Sequence, residues 1–397
     1  MAQNQWISML RKLGHHVTIH NLRSLHVDPR VNLPNFVQEV AREKPEIIFV
    51  EGALGFNLPE FYLDPIIQQI PVAAFWFDDP LRSVDYRMTE KGYLEALRLP
   101  NVYHFVWDGY WRKWLLELHQ IRSYPIHLAA DPEEFYPLPP PSEYRDYTVF
   151  IGTLIHPKQI EDLKQQLHPT LHHIASMIPP RVESEAYGKS PYDLLDATVA
   201  NLPPKMLQAY HSLKEQKPEA ILHLRTFCWM LGKNEVRKRI LKKTLEIAPL
   251  LIFSGNWEQT HSNEEALRSI LGDSNRLLVL DTRNLASQSL ASLYAFGKLH
   301  LQATDPQSIE GGLPFRVFQT TACRRPLLTD KKPELQECYS YETELLTFDS
   351  DADFLESLEK ALADSHALEK VAEQGYRRFL REHTWAHRFD YVRNTIK

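Results

Sequence analysis

The sequence is poor in cysteine, and it lacks both long apolar runs and an excess of positive charge. Its three cysteines, Cys228, Cys323 and Cys338, have neither the CxxC spacing nor the Cys/His pattern of a zinc site, so we expect reduced, buried thiols. No segment approaches the roughly 18 consecutive apolar residues of a membrane-spanning helix, and residues 1–16 lack the apolar region of a signal peptide. With 45 Lys+Arg against 51 Asp+Glu, nothing indicates the basic surface that nucleic acids require. We therefore expect a cytoplasmic protein with no integral membrane segment and no nucleic-acid partner.

The signatures of several enzyme classes are also absent from the sequence. There is no GxSxG nucleophile elbow, no GxxxxGK[ST] phosphate loop and no GxGxxG after a predicted strand, so hydrolases, NTPases and dehydrogenases lack their main motifs. The 18 histidines include two adjacent pairs, His15–His16 and His172–His173, whose side chains point in different directions on a helix or a strand. We therefore predict no metal site.

The chain is long enough for two domains, and its apolar segments have the pattern of an α/β protein. At 397 residues it exceeds what one hydrophobic core comfortably stabilises. Short apolar runs alternate with helical patterns, which indicates βαβ units and mainly parallel sheets. The predicted strands are residues 16–20, 46–51, 71–77 and 102–107 in the first lobe, and 147–152, 250–254, 277–280, 298–302, 326–329 and 344–348 in the second.

Proline content and strand signals define the domain boundaries. Residues 135–142 contain four prolines, which favour an extended connector between the lobes. The predicted domains are a first lobe (1–138), a second lobe (139–383) with a helical insertion (about 168–248), and a terminal helix (384–397). The first lobe begins with a helix, Trp6 to Leu13, where most parallel α/β domains begin with a strand. We expect either that the true start of the protein lies upstream of residue 1 or that this lobe lacks its first strand.

The most informative stretch, residues 308–329, combines two glycines, a proline and an amphipathic helix. Gly311 and Gly312 can bring bare backbone N–H groups close to a ligand, and Pro314 suits the first turn of a helix. A helix N-terminus with free N–H groups binds anions readily, and Arg316 adds a formal positive charge. A diphosphate is the ligand that this pattern favours. The alternative is that the two glycines only form a loop before a core helix.

Three segments of the second half carry a family resemblance. They are GGLPFRVFQTTACRRPLLTD (311–330), PELQECY (333–339) and LEKVAEQGYRRFLREHTWAHR (368–388). In order and spacing they resemble the C-terminal signature of CgeB-like, spore-maturation-type glycosyltransferases, which belong to the two-Rossmann GT-B superfamily. Weaker matches, such as PVAAFWFDDP (71–80) and VFIGTLIHPKQIEDL (149–163), extend the resemblance to most of the chain outside the insertion.

The resemblance implies two Rossmann-like lobes of the GT-B type and a C-terminal helix that returns to the first lobe. It also implies a metal-independent glycosyltransferase of the hexosyltransferase type. The second lobe would hold a nucleotide diphosphate sugar, with a UDP-sugar favoured and no further cofactor. The first lobe would hold an acceptor, which is a protein, a glycan or a small molecule.

The resemblance assigns roles to particular residues of the second lobe. The residues placed at the donor are Gly152, Thr153, Lys158, Asn256, Trp257, Glu310, Gly311, Gly312, Arg316 and Gln319. Among them, Arg316 would stabilise the departing diphosphate, and Asn256 and Trp257 would border the nucleotide base. The alternative for Trp257 is packing in the core.

Two positions depart from the family pattern. Gln319 stands where the family usually has a glutamate that binds the donor ribose, and Arg324 stands where it commonly has glycine. A glutamine can accept and donate hydrogen bonds, but it lacks the charge that strengthens a carboxylate–hydroxyl bond. The alternative hypothesis is therefore a catalytically degenerate, glycosyltransferase-like protein that binds a partner or a nucleotide without turnover. A sugar-nucleotide epimerase or hydrolase fits the C-terminal signature less well.

An acidic pair ends one predicted strand of the first lobe. Asp78 and Asp79 follow strand 71–77 at its carboxyl end, where the crevice residues of open parallel sheets collect. Either carboxylate could orient an acceptor hydroxyl or act as a general base. The alternative is a solvated turn in which an aspartate caps the next helix.

Overall fold

The chain folds into two compact units. The structure, a computed structural model, describes residues 2–20, 29–52, 56, 58–80, 91–185, 190–254, 264–281 and 289–396. The first unit comprises Met1–Leu128, Glu310–Gly312 and Trp385–Lys397, and the second comprises Ala129–Ile309 and Leu313–Thr384. Each unit contains its own parallel sheet.

The described part of the first unit is built on a four-stranded parallel sheet. Its strands are β1 (Ile48–Glu51), β2 (Val72–Trp76), β3 (Val102–Val106) and β4 (Ser123–Pro125), in the order β1-β2-β3-β4. Its helices are α1 (Ala2–Lys12), α2 (Pro29–Glu43), α3 (Pro59–Leu63), α4 (Tyr93–Leu97), α5 (Gly109–His119) and a terminal helix (Trp385–Ile396), with a short 3₁₀ helix at Ile67–Gln69. Every residue of β2 is buried, which explains why its sequence is a continuous apolar run.

An aromatic cluster joins α1, β2 and the terminal helix within the first unit. The ring centroid of Trp6 lies 4.5 Å from that of Phe75 and 5.0 Å from that of Trp385. The indole N–H of Trp385 donates to Oε1 of Gln5 at 2.8 Å. The terminal helix therefore contributes to the core of the first unit, although it is the last element of the chain.

One predicted strand of the first unit is wrong, and one strand was missed. The predicted strands 46–51, 71–77 and 102–107 are confirmed as β1, β2 and β3, whereas residues 16–20 form no strand. An alternating sequence cannot form a strand without a neighbour that completes its hydrogen bonds, and no described strand lies beside residues 16–20. The missed strand, β4, is three residues long and lacks an apolar run.

The described part of the second unit is built on a six-stranded parallel sheet. Its strands are β5 (Thr148–Ile151), β6 (Leu250–Ser254), β7 (Leu277–Asp281), β8 (Leu299–Gln302), β9 (Leu327–Asp330) and β10 (Leu346–Phe348), in the order β10-β9-β8-β5-β6-β7. All six confirm the predicted strands of this lobe. Strand β5 pairs with β6 on one side and with β8 on the other. The strand order reverses between β5 and β8, and open α/β sheets bind ligands at the carboxyl ends of strands at such a switch point.

The described helices of the second unit include those of the predicted insertion. They are α6 (Pro157–Gln165), α7 (His172–Glu185), α8 (Pro191–Ala200), α9 (Pro204–Gln216), α10 (Pro218–Ile247), α11 (Glu264–Leu271), α12 (Leu290–Tyr294), α13 (Phe315–Ala322), α14 (Leu335–Cys338), α15 (Asp351–Ala363) and α16 (Ser365–Glu382). Helices α7 to α10 lie within residues 168–248, the segment predicted to be a helical insertion. None of the helices in the described ranges is both long and apolar enough to cross a membrane.

Helix α10 belongs to two hydrophobic cores. Its first half packs among the insertion helices through side chains such as Leu224 and Phe227. Its second half packs in the core of the sheet through Ile240 and Leu241. Gly232 lies between these halves, where an added Cβ would come 2.4 Å from Cγ of Pro191. Packing on both sides therefore holds the middle of α10 in place.

Arg324, directly after α13, has the left-handed backbone conformation that favours glycine (φ 53°). Its guanidinium pairs with Glu373 of α16 at 2.7 Å in a partly exposed ion pair. Replacement by glycine or by alanine removes this ion pair, but only glycine relieves the backbone. We expect the free energy of unfolding, measured by urea denaturation, to be about 1 kcal/mol higher for Arg324→Gly than for Arg324→Ala. Equal stabilities would show that the backbone at this position is not strained.

Candidate functional site

Arg237 of α10 contacts the loops that follow two strands, β5 and β8, at the switch point of the second sheet. The loop after β5 begins with Gly152 and Thr153, and the loop after β8 leads to Asp305. Arg237 donates from Nη1 to the backbone oxygen of Thr153 at 2.6 Å, and its Nη2 lies 3.9 Å from Oδ2 of Asp305. The side chain of Arg237 is buried, and its Nε has no hydrogen-bond acceptor among the described residues. A buried donor of this kind marks a place for an additional acceptor.

Asp305 is a largely buried carboxylate, with a side chain 14% exposed, that contacts three residues of α10. The indole N–H of Trp229 donates to Oδ1 of Asp305, and Nζ of Lys233 lies 3.1 Å from Oδ2. Arg237 approaches the same oxygen. Residues four apart lie on one face of a helix, so Trp229, Lys233 and Arg237 present a single face of α10 to Asp305. The ammonium of Lys233 also lies 4.6 Å from the centroid of the Trp229 ring.

Lys233, Arg237 and Asp305 together carry a net positive charge. Burial, together with the nearby charge of Arg237, lowers the pKa of Lys233 to about 8. Burial lowers the pKa of Arg237 to about 10, and Arg316 contributes to this shift. Burial alone would raise the pKa of Asp305, but Lys233 and Arg237 hold it below its ordinary value. Near neutral pH both bases are protonated and the carboxylate is ionised, so a bound anion would relieve the repulsion between the cations.

Arg316 adds a third cation to this group. It lies in the first turn of α13, is partly buried, and acts electrostatically on both Lys233 and Arg237. Among the described residues, no carboxylate forms an ion pair with its guanidinium. Guanidinium groups bind carboxylate and phosphate oxygens in pairs, so an arginine beside other cations favours a phosphate ligand. We refer to Lys233, Arg237, Arg316 and Asp305 as the cationic cluster.

Gln319 lies on the same helix as Arg316 and is buried. Its carbonyl oxygen accepts a hydrogen bond from the hydroxyl of Tyr294. Burial raises the pKa of Tyr294, so its hydroxyl keeps its proton and remains a donor. The position that the family resemblance assigned to ribose binding is therefore part of a buried pair of side chains.

The backbone amides of Gly311 and Gly312 already have an acceptor within the first unit. Oδ2 of Asp108 accepts hydrogen bonds from the N–H groups of Glu310, Gly311 and Gly312 at 3.1, 3.0 and 2.8 Å. Oδ1 of Asp108 accepts a further bond from the N–H of Tyr110 at 2.9 Å, in the first turn of α5. Asp108 is fully buried. In this structure the N–H groups predicted to bind phosphate therefore donate to an internal carboxylate.

The segment around these glycines is also held by side chains of the first unit. A Cβ added to Gly312 would come 2.8 Å from the ring of Trp107, which leaves room only for glycine. The carboxylate of Glu310 pairs with Lys113 of α5 at 2.7 Å. Residues Glu310–Gly312 thus belong to the first unit, whereas Arg316 belongs to the second. The sequence pattern, in contrast, predicts one phosphate site that contains both the glycines and Arg316.

The remaining predicted donor residues lie after β5 or outside the described residues. A Cβ on Gly152 would come 2.4 Å from the ring of Phe150, and the carbonyl of Thr153 accepts from Arg237. Lys158 is exposed in the first turn of α6. The predicted base-binding residues Asn256 and Trp257 fall outside the described residues.

The acidic pair of the first unit follows β2 as predicted. Asp78 is exposed, whereas Asp79 is buried. Within the described ranges, no three His, Cys, Asp or Glu side chains are placed to hold a metal ion.

Sequence reasoning missed Lys233, Arg237 and Asp305. The two bases lie in a stretch that was assigned to the insertion, and Asp305 belongs to no motif. The available signal was the spacing of four between Trp229, Lys233 and Arg237, which puts an aromatic residue and two cations on one helix face.

Comparison with known proteins connects this region to a family. The sequence profile of the family described as glycosyl transferase-like matches residues 237–394. The match begins at Arg237 and includes Asp305 and Arg316. No curated protein sequence matches the chain.

Solved structures with a similar fold cover nearly the whole chain. Sucrose-phosphate synthase from Thermosynechococcus elongatus is 12% identical, with a TM-score of 0.51, and the match covers 96% of this chain and 81% of that one. A glycosyltransferase from Rickettsia africae ESF-5 is 9% identical, with a TM-score of 0.52 and coverage of 98% and 86%. HepE from Anabaena, solved in complex with UDP-glucose, is 11% identical, with a TM-score of 0.51 and coverage of 98% and 88%.

At these identities the likeness concerns the fold. Both the predicted architecture of two parallel-sheet, Rossmann-like lobes and its GT-B type are confirmed. The chain therefore has the two-lobed GT-B fold of glycosyltransferases, and its residues 237–394 match the glycosyl transferase-like family.

Proposed function

We propose that this protein transfers a hexosyl group from a nucleotide diphosphate sugar, with a UDP-sugar favoured, to a protein, glycan or small-molecule acceptor. The observation that carries this proposal is the cationic cluster at the switch point of the second sheet. Open α/β sheets bind nucleotides there, outside the carboxyl ends of the strands. HepE, which shares the fold, binds UDP-glucose. We also propose that the chain belongs to the CgeB-like subfamily.

The cationic cluster would act on the leaving group of the reaction. When the bond between the sugar and the β-phosphate breaks, negative charge develops on the departing diphosphate. Lys233, Arg237 and Arg316 would stabilise this charge, and because Lys233 and Arg237 are already held by Asp305, these two need no reorganisation during the reaction. With three cations available, the proposed reaction requires neither a divalent metal nor a further cofactor.

The other predicted residues keep proposed roles. Lys158 would assist the cluster after β5, and Gln319 would contact the ribose through its amide group. Asp78 or Asp79 would orient the acceptor hydroxyl or take its proton, because both follow the carboxyl end of β2 in the first unit. Of the two, Asp79 is buried and is therefore the better shielded from solvent.

A second candidate function is binding of a nucleotide or a partner without turnover. Two observations favour it: Gln319 replaces the usual glutamate, and its oxygen is taken by Tyr294. In addition, the amides of Gly311 and Gly312 donate to Asp108 and not to a ligand.

Thermal denaturation in the presence of UDP-, GDP-, TDP- and CMP-sugars tests the proposal. A ligand that binds the native state raises the melting temperature, and a ligand at about 100 times its Kd adds about 2.7 kcal/mol of stability. We expect the largest shift with a UDP-sugar, together with slow release of free UDP. A shift without nucleotide release would favour the binding protein. The absence of a shift with every donor would refute the glycosyltransferase assignment.

A further inference from the structure

We propose that Asp305 lowers the charge of the cationic cluster and so weakens its binding of the nucleoside diphosphate released by the reaction more than its binding of the intact nucleotide diphosphate sugar. This inference rests on the proposed function and names a residue that determines ligand specificity at the same site.

The geometry shows that Asp305 is a built-in part of the cluster. Its carboxylate receives the indole N–H of Trp229 on one oxygen, and Lys233 and Arg237 on the other. All three come from the middle of α10, which the two hydrophobic cores hold on either side. Cγ of the next residue, Pro306, lies 3.4 Å from the Cβ position of Gly232 on the same helix. The residue that follows Asp305 therefore packs against the same helix as the three partners of its carboxylate.

The net charge of the cationic cluster is about +2. Lys233, Arg237 and Arg316 contribute three positive charges, and Asp305 contributes one negative charge. The neighbouring pair of Lys332 and Asp330, whose Nζ and Oδ2 atoms are 3.5 Å apart, adds no net charge.

Substrate and product differ in charge by about one unit. In a nucleotide diphosphate sugar each phosphate carries one ionised oxygen, about two negative charges in all. During transfer the bond between the anomeric carbon and the β-phosphate oxygen breaks, and its electron pair stays on that oxygen. The acceptor oxygen forms the new bond to carbon, and its proton passes to a base. The released nucleoside diphosphate ends in a phosphate monoester, whose second pKa is about 6, so near pH 7 it carries about three negative charges.

Each positive charge of the cluster attracts the product more strongly than the substrate, because the product carries about one more negative charge. Without Asp305 the cluster would carry three positive charges, and the product would gain more affinity than the substrate. In a partly buried site that is open to solvent, with an effective dielectric constant of about 40, one additional unit charge at about 6 Å changes the relative affinity of two such ligands by about tenfold. Asp305 would thereby favour product release.

Charge-altering variants test this inference. Asp305→Asn keeps the shape of the side chain and an acceptor for the Trp229 indole, but it raises the net charge of the cluster by one. Lys233→Met keeps an aliphatic side chain over Trp229, and it lowers the net charge of the cluster by one. The double variant returns it to the wild-type charge. For each protein, titration calorimetry at about pH 7 and low salt measures the Kd of UDP-glucose and of UDP, and the ratio of the first to the second reports the preference for product.

We expect Asp305→Asn to raise this ratio about tenfold and Lys233→Met to lower it about tenfold, while the double variant returns to within about threefold of wild type. Recovery in the double variant separates a charge effect from damage to the fold, which a second substitution would not repair. An unchanged ratio in Asp305→Asn, with both ligands still bound, would overturn the inference and leave the proposed function standing. A wild-type chain that binds neither ligand would refute both.

Discussion

Replacing Arg316 by alanine is expected to lower kcat/KM for sugar transfer by roughly 100-fold to 1,000-fold, since removal of one group that stabilises developing charge has an effect of this size. Arg316 lies in the first turn of α13 beside Lys233 and Arg237, and no described carboxylate pairs with it. Its removal also relieves repulsion among the cations. The melting temperature of the free protein should therefore stay the same or rise.

The matched control for Arg316 is Arg377→Ala on α16. Arg377 has a side chain 66% exposed, and it pairs with Glu373 at 2.6 Å. A surface ion pair of this kind contributes little to stability, and we expect transfer rates within about twofold of wild type. Initial rates at varied donor concentration, with circular dichroism to confirm folding, give the comparison. Wild-type turnover by Arg316→Ala would remove Arg316 from the mechanism.

Replacing Asp108 by alanine is expected to lower the free energy of unfolding by about 4 kcal/mol. The carboxylate accepts four backbone N–H groups, from Tyr110, Glu310, Gly311 and Gly312, and it is fully buried. Without it these amides lose their acceptor, and the amides of Gly311 and Gly312 are buried. Asp108→Asn keeps one acceptor oxygen, so we expect about half of the effect.

Urea unfolding followed by circular dichroism measures the loss, and Asp364→Ala is the matched control. Asp364 also caps a helix, since its Oδ1 accepts from the N–H of Ala367 at 2.9 Å, but it is exposed and bonds a single amide there. Loss of such a cap costs about 1 kcal/mol. If Asp108→Ala lost no more stability than Asp364→Ala, the bonds to residues 310–312 would not contribute to the folded state.

Asp108 also changes how the glycine pair is interpreted. Two glycines before a helix predict either an anion site or a simple loop, and the sequence left both open. The structure shows a third arrangement, in which the bare amides do bind an anion, but the anion is a side chain of the same unit. The chemistry inferred from Gly311 and Gly312 was sound, whereas the identity of the acceptor was not visible in the sequence.

Much of the fold could be predicted from sequence because its signals are local. Buried parallel strands read as apolar runs, so β2 and β8 were recognised, as were the helices of the insertion. The prediction failed for residues 16–20, where a strand-like pattern has no described neighbour to pair with. A strand depends on its partner, and the partner is not encoded in the same segment.

The sequence by itself determined the two α/β lobes, the helical insertion and the presence of a helix that begins near Arg316, because hydrophobic periodicity and the backbone preferences of glycine and proline act over a few residues. Only the tertiary structure decided which charges meet. Arg237 reaches the carbonyl of Thr153 across 84 positions of the chain, and Asp108 reaches the amide of Gly312 across 204. Contacts over such separations depend on how whole elements pack, which no local pattern specifies.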